Sequence, residues 1–513
     1  MMLLLQNVYR THEAETLWEY FRAWLNTEPV PGWRVDAVWA NALMLATALA
    51  FIFILELLIT IGLQVWERRL MARMQSRRGP AEYGGINAQA FRRIVWPLAV
   101  LLAIPAMLYG VEHWTAFAFP GRVLEFITVA CTAVAFTIYM VYMLGWYWRQ
   151  GLMDAVKLFF KEDVVPLGAD RLLYLIAPIL VYLPALLSWI VIPFGVGVVG
   201  GQYVYFIVQD LNIGLLLIIA DFALFLVAII MSGYASNNKY ALTGAMREAA
   251  MLLTYEVPML MSLLCVAVFA GSLSLIDIVQ HQTMTWAALP LFPAFVIYFI
   301  VALAETNRPP FDLPEAQNEL LGGYLVEYSG IRFALFYIAE YSNVFIVSAI
   351  MAICFLGGWK GPMFLGPSGL WLSSMFWFLL KTYIFVLFFI WARATMPRIR
   401  IDQIMFFSWK FLLPASVLAL GITALGVVYR HPWFSGNSIA IEEYFPEYAV
   451  FLTTYHTMPA FAVLGVLTLE ERAFFWIYNV IALAFGVFIG FLAWRVLFTL
   501  SLIHISEPTR LRR

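Results

Sequence analysis

Apolar residues gather in long runs that stay apolar on every face of a helix, the pattern of a segment surrounded by lipid or protein. Eleven runs stand out, at roughly 39–65, 94–111, 123–147, 172–195, 211–232, 250–272, 288–304, 334–358, 371–392, 411–429 and 475–500. About 20 predominantly apolar residues suffice for a helix to cross a bilayer. In hydrocarbon the backbone must satisfy its own hydrogen bonds, so these runs predict helices; the strand signals are too short and weak for a barrel. The expected fold class is all-α, a polytopic transmembrane helix bundle of about 11 helices.

Composition agrees with this. Of 513 residues, 63% are hydrophobic and 12% charged, about half the charged share of a soluble domain. A disordered chain, a coiled coil, a collagen and an ordinary soluble enzyme are excluded. The net charge of −1 implies no polyanionic partner, and no nucleic acid. Cys131, Cys265 and Cys354 all lie inside apolar runs, and the six histidines are scattered. No redox metal or haem site is therefore expected on this chain. The loops alternate in basic content. Loops 66–93, 148–171, 233–248, 305–333 and 393–410 with the tail 501–513 hold 22 Lys and Arg, the opposite loops 7. This places the N-terminus outside and the C-terminus inside. Met1–Gln6 is too short an apolar stretch for a secretory signal. Residues 11–27 have amphipathic helix spacing (Leu17, Trp18, Phe21, Trp24, Leu25), suited to the outer interface or a partner. The tail beyond Leu500 is polar and basic, and Pro508 breaks any helix there.

Ionisable residues at membrane depth cost about 2.5–3.5 kcal/mol each by insertion scales, so they need a reason. The segment after Ala304 holds Glu305, Asp312, Glu315, Glu319 and Glu327 against Arg308 and Arg332. Pro309, Pro310 and Pro314 end the preceding helix and force an extended turn. Asp312 then stands near a new helix start, and Glu315 and Glu319, four apart, share a helix face. Crowded carboxyls of this kind can accept and release protons. The plainer reading is a solvated acidic loop. Glu256, Glu340, Asp221 and Lys381 lie inside apolar runs. Buried acids facing one another or a wet cavity make proton relays, the plainer reading being isolated structural pairs. Two inner stretches, Trp66–Glu67–Arg68–Arg69 through Arg77–Arg78–Gly79–Pro80 and Arg393 through Gln403, supply arginines. These either enforce topology or line a polar cavity.

The stretch Ala304–Arg332 resembles the signature of the membrane subunit that carries the quinone chamber of respiratory complex I, the H subunit in bacteria and subunit 1 in mitochondria. Gln75–Pro80, Phe160–Asp163, Asp210–Gly214, Ala235–Leu242, Trp391–Gln403 and Trp409–Pro414 look like further blocks in family order. The resemblance covers about 39–85 and 150–429. It implies a wall of a long quinone cavity, shared with peripheral-arm subunits. Glu67, Arg68, Arg77, Arg308, Asp312, Glu315, Glu319 and Arg393 match residues near that cavity. Glu256, Glu305, Glu327 and Glu340 match carboxylates leading into the membrane, with Arg247 a basic partner. Quinone is the implied substrate. FMN and iron–sulfur clusters are expected on partner subunits, with small and antiporter-like membrane subunits and lipids as further neighbours. The implied location is a bacterial inner membrane, ahead of the mitochondrial one.

The chain departs from the family pattern in three places. Gln317 stands where a third glutamate is usual; about 60 residues, with runs 94–111 and 123–147, split the first inner loop; residues 1–38 and the last run have no counterpart. The organisation expected is an outer extension 1–38, a first core helix and loop 39–93, an inserted helix pair 94–147, a core bundle 148–429, an outer loop with an extra helix 430–500 and a basic tail 501–513, around an eight-helix family core. The rival reading is the membrane subunit of a related membrane-bound hydrogenase or ferredoxin-linked ion pump. A secondary transporter would show inverted repeats, and none is seen. A purely structural anchor would leave Glu256 and Glu340 unexplained.

Overall fold

A computed structural model describes residues 15–16, 37–77, 79, 149–199, 202–282, 286–313, 317–361, 370–428 and 480–493. The expected inserted helices at 94–147, the outer loop 430–474, the tail 501–513 and nearly all of the extension 1–38 lie outside the described residues. The other nine apolar runs each fall on a helix. Apart from two short turns, Gln317–Leu320 and Gly323–Leu325, the helices in chain order are α1 (Ala37–Met74), α2 (Arg149–Phe160), α3 (Arg171–Val191), α4 (Gly214–Ala235), α5 (Lys239–Ala270), α6 (Leu275–His281), α7 (Phe292–Glu305), α8 (Gly330–Leu356), α9 (Leu370–Thr395), α10 (Ile401–Phe407), α11 (Leu413–Val428) and α12 (Val480–Ala493). The protein is a polytopic all-α membrane protein.

Where the helices depart from the runs, local chemistry decides. The run 250–272 gains a long polar start as α5, because Asn238 accepts a hydrogen bond from the Tyr240 amide at 3.0 Å and caps the helix there. At the far end Gly271 takes φ 68°, the left-handed C-cap. The run 411–429 begins at α10 and passes through a π turn, Ser408–Leu412, into α11. With 38 residues, α1 reaches about 57 Å, well beyond a hydrocarbon core of about 30 Å. Its last turns, with Glu67, Arg68, Arg69 and Arg73, therefore stand past its apolar run.

The centre of the bundle is α8. Every residue from Tyr341 to Phe355 is buried, which is what an all-round apolar helix requires. It packs on α1, α3, α7 and α9, with Trp189 of α3 stacked on Phe345 at 4.8 Å. A small sheet is the exception to the helices. Val196–Val199 (β2) and Gln202–Tyr205 (β3) form an antiparallel hairpin, and Glu15–Thr16 (β1) pairs with β3 in parallel. This hairpin and α6 lie at the end where α8 finishes, since Ser374 of α9 bonds Val196 and Gln282 bonds the Ile353 and Cys354 carbonyls. The opposite end is where α7 and α9 finish and α8 begins.

Candidate functional site

At that opposite end one guanidinium organises everything near it. Asn307 takes φ 50°, and the turn after α7 then runs through a cis Pro309–Pro310 bond. Two contacts fix this turn. Phe311 is fully buried edge-on to Tyr255 of α5 at 5.2 Å, and the Ile399 amide donates to the Pro310 carbonyl at 3.2 Å. The turn thereby delivers Arg308 into the bundle, 1% exposed, one of the largest fully buried side chains.

Arg308 ion-pairs with Glu67 of α1, lies 3.7 Å from Glu340 of α8, and sits over the Tyr341 ring at 5.2 Å. Glu67 is itself buried and also accepts from Arg393 of α9. Arg398, in the stretch between α9 and α10, donates to Asp312 Oδ2 from Nη2 at 2.7 Å and from Nε at 3.2 Å. Three carboxylates thus meet three arginines, drawn from α1, α8, α9 and two loops. A buried ion pair survives only if its Coulombic gain and hydrogen bonds offset desolvation. For Arg308 burial acts to lower the pKa, and the neighbouring Glu67, with Tyr341 and Glu340, more than reverses this and holds the group charged. For Asp312 burial prevails: its carboxyl is pushed above the usual range although Arg398 opposes it.

A second group of acids lies beside this network. Glu305, at the end of α7, is 1% exposed, and among the described residues neither oxygen has a hydrogen-bond partner; Glu256 of α5 is within electrostatic reach. Glu248, two turns before Glu256, is fully buried and accepts from the Asn307 amide group at 2.6 Å. The remaining sequence-predicted residues stand apart. Arg68 pairs with Asp154 of α2 at 2.7 Å and Arg77 bonds Gln75, all exposed. Arg247 pairs with Glu319 at 2.8 Å on the surface. Glu327 accepts from Asn238 at 2.6 Å, and its carbonyl from the Tyr174 hydroxyl at 2.7 Å. Glu315 lies outside the described residues. Among the described residues no group of His, Cys, Asp and Glu could hold a metal ion.

Two participants, Arg398 and Glu248, and one buried acid outside the site, Glu56, are absent from the sequence-derived set. Arg398 lies in the block Arg393–Gln403, where nothing separates one arginine from another until Asp312 arrives from 86 residues away. Glu248 reads as an ordinary helix-start acid beside Arg247. Glu56, inside the first apolar run, carries the signal that marks Asp221: a lone acid within an apolar run.

Fold and site together define a class: a polytopic membrane protein with a buried ion network at one end of its bundle and further buried carboxyls alongside. The particular family comes from likeness to known proteins. The family described as NADH dehydrogenase matches residues 139–424. The H subunit of the NADH-quinone oxidoreductase of Rhodospirillum centenum is 41% identical, over 63% of this chain and 98% of that protein. The H subunit of Rhodospirillum rubrum is 46% identical over 54% of this chain and 79% of its own length, and that of Frankia alni 44% over 57% and 67%. The chain belongs to the H subunit family of NADH-quinone oxidoreductases, complex I. It is a membrane subunit of that enzyme complex, and the other complex I subunits are its partners.

Proposed function

We propose that the Arg308 network forms part of the wall of a quinone-binding chamber, and that Glu305, Glu256 and Glu340 begin the route by which its charge state is coupled to proton movement. The observation that carries this reading is a fully buried Arg308 shared between Glu67 and Glu340 and continued through Arg393 and the Asp312–Arg398 pair. Such a network has more than one arrangement of its charges, so an event at one member biases the others. A quinone headgroup takes up two electrons and two protons on reduction. The electrons arrive from an iron–sulfur cluster on a peripheral-arm partner, which also leaves FMN to other subunits. Of the network's acids, Asp312 stands in a loop rather than in a membrane helix, and its raised pKa suits it to give or take a proton near the headgroup. Glu305 and Glu256, two carboxyls with no cation bonded to either among the described residues, are a place to hold a proton and pass it on.

The exposed residues take other parts in this reading. Arg68, Arg77 and Glu319 face the surface from which peripheral-arm subunits dock, with Arg247 pinning Glu319. Glu327, held by Asn238, stands where the route passes α5. Glu315 belongs with them by its place in the family block. The basic-loop bias supports an N-terminus outside, and the bacterial sources of the similar H subunits support a bacterial inner membrane. Residues 148–429 act as the chamber core, and 94–147 and 430–500 are additions to it by their place outside the family blocks.

The test is Glu305→Gln in the complete complex, reconstituted into vesicles. Proton uptake or release per quinone reduced should fall while NADH oxidation by artificial acceptors is kept. Unchanged coupling would overturn the route.

A further inference from the structure

Glu56 of α1 stands apart from the Arg308 network and from the Glu256–Glu305 pair. It lies eleven residues before Glu67, about 16 Å along the helix axis, inside the apolar part of α1. The residue is fully buried. The Tyr182 hydroxyl of α3 donates to Oε2 at 2.5 Å. The other oxygen, Oε1, is buried and, among the described residues, has the Ser342 hydroxyl of α8 as its polar neighbour, short of a well-aligned hydrogen bond. Ser342 accepts from the Trp189 indole N–H at 2.7 Å, which leaves its own hydroxyl proton free to turn toward Glu56. Charged residues on the helices packed against α1 are Arg171 of α3, Arg332 and Glu340 of α8, Lys381 and Arg393 of α9, and, beyond the first residue Arg149, Asp154 and Lys157 of α2. Among the described residues none of these forms an ion pair with Glu56.

A carboxyl in an apolar helix, met by two hydroxyls and no cation, is not a fixed counter-ion. A structural hydrogen-bond acceptor at this position needs only an amide or a hydroxyl, at far lower cost than an acid. What an acid adds is the capacity to take up and release a proton. The Arg308 network begins three turns along α1 and one residue before Tyr341 on α8, so Glu56 and that network share two helices. The Glu256–Glu305 pair lies instead on α5 and α7. We propose that Glu56 is an additional proton-exchanging carboxyl of this chain, placed on the α1–α3 side of α8 and answering to the charge state of the Arg308 network. The proposal rests on the function proposed above, extending it to a group outside the Glu256–Glu305 route.

Glu56→Gln in the complete complex is the decisive variant, because glutamine still accepts from Tyr182 and keeps the shape but cannot take a proton. Infrared difference spectra between oxidised and quinone-reduced complex should lose one carboxylic-acid C=O band. Vesicles should show fewer protons moved per quinone reduced, with the reductase rate falling less. Tyr182→Phe keeps the carboxyl and removes its donor; it should shift that same band and leave the complex assembled. If Glu56→Gln leaves bands and proton yield as in the parent, or if Tyr182→Phe shifts no carboxyl band, the proposal is wrong. Should Glu56→Gln fail to assemble, the Tyr182→Phe spectrum decides alone. Glu305→Gln run in parallel separates the two readings: loss of coupling there with none at Glu56 sinks only this proposal, whereas no loss at Glu305 sinks the route itself.

Discussion

The two ends of the bundle bury charge in opposite ways. At the end where α8 begins, arginines are neutralised by carboxylates from helices and loops far apart in sequence. At the hairpin end, lysines are held by backbone oxygens. Lys381 Nζ donates to the carbonyls of Leu356 at 2.7 Å, Gly358 at 3.0 Å and Lys360 at 2.7 Å. Lys360 Nζ donates to the carbonyls of Gln280 at 2.9 Å and Gln282 at 3.3 Å. The Leu356 oxygen is the last of α8, where helix carbonyls have no intrahelical donor, and the Gly358 oxygen lies just past the cap, where the chain turns through Gly357 and Gly358 at φ 70° and 50°. A cation there answers both the orphan carbonyls and the negative end of the helix dipole. The carbonyl cage has one arrangement, because its acceptors are fixed in the backbone. The carboxylate network puts its acceptors on side chains, whose rotamers and protonation can change. The coupling proposed above needs acceptors of this second kind.

The largest break in this contrast is Arg308→Ala. It strands Glu67 and Glu340 without their shared cation, and removing one partner of a buried pair costs about 3–5 kcal/mol. The complex should assemble poorly and melt earlier in thermal assays, with Arg308→Lys intermediate because it restores charge but not the planar fork. Lys381→Met comes next. It leaves carbonyls at the end of α8 without a donor, at about 1–3 kcal/mol for each one left unsatisfied. Melting should fall, with quinone reduction per assembled complex unchanged.

A smaller effect depends on pH and has opposite sign at the two ends. Burial, reinforced by Lys381, pushes Lys360 down to about 7. Between that value and the ordinary lysine value of about 10.4 the unfolded chain binds a proton that the folded one does not. Stability from this group is therefore present above about 10.4, shrinks as pH falls, and is lost below about 7, with a slope of at most about 1.4 kcal/mol per pH unit. Asp312, raised by burial, runs the other way: its contribution is present below the ordinary aspartate value and is lost as pH rises through its folded value. Melting temperatures across pH 6–9 should flatten in Lys360→Met, and a slope that persists would show another group to be responsible. The smallest effect belongs to the surface pairs. Asp154→Asn, which frees the exposed Arg68, should change stability by no more than about 1 kcal/mol by thermal melting.

Much of this architecture is legible in the order of residues alone. The apolar runs foretell the helices because a membrane helix must be apolar over its whole length whatever it packs against, so α3, α4, α8 and α9 can be read from local sequence. Glu67, Arg308 and Arg393 fall in one predicted set and do meet. The family pattern puts Glu340 on the carboxylate route, yet it also lies beside Arg308, because α8 turns that face toward α1 and α9. The π turn at Ser408–Leu412 is not legible in the pattern, because its Ser408 and Lys410 read as the polar end of the apolar run that follows.

Local sequence settles the surrounding solvent, the class of fold and the membership of the family. Those follow from hydrophobic length, the distribution of Lys and Arg, and short contiguous blocks. Which acid meets which base is decided only in three dimensions, as Asp312 with Arg398 and Glu56 with Tyr182 show over 86 and 126 residues. A charge in an apolar run announces that it needs a partner, but the rotation and tilt of packed helices choose that partner, and those are set by side-chain packing across the whole bundle.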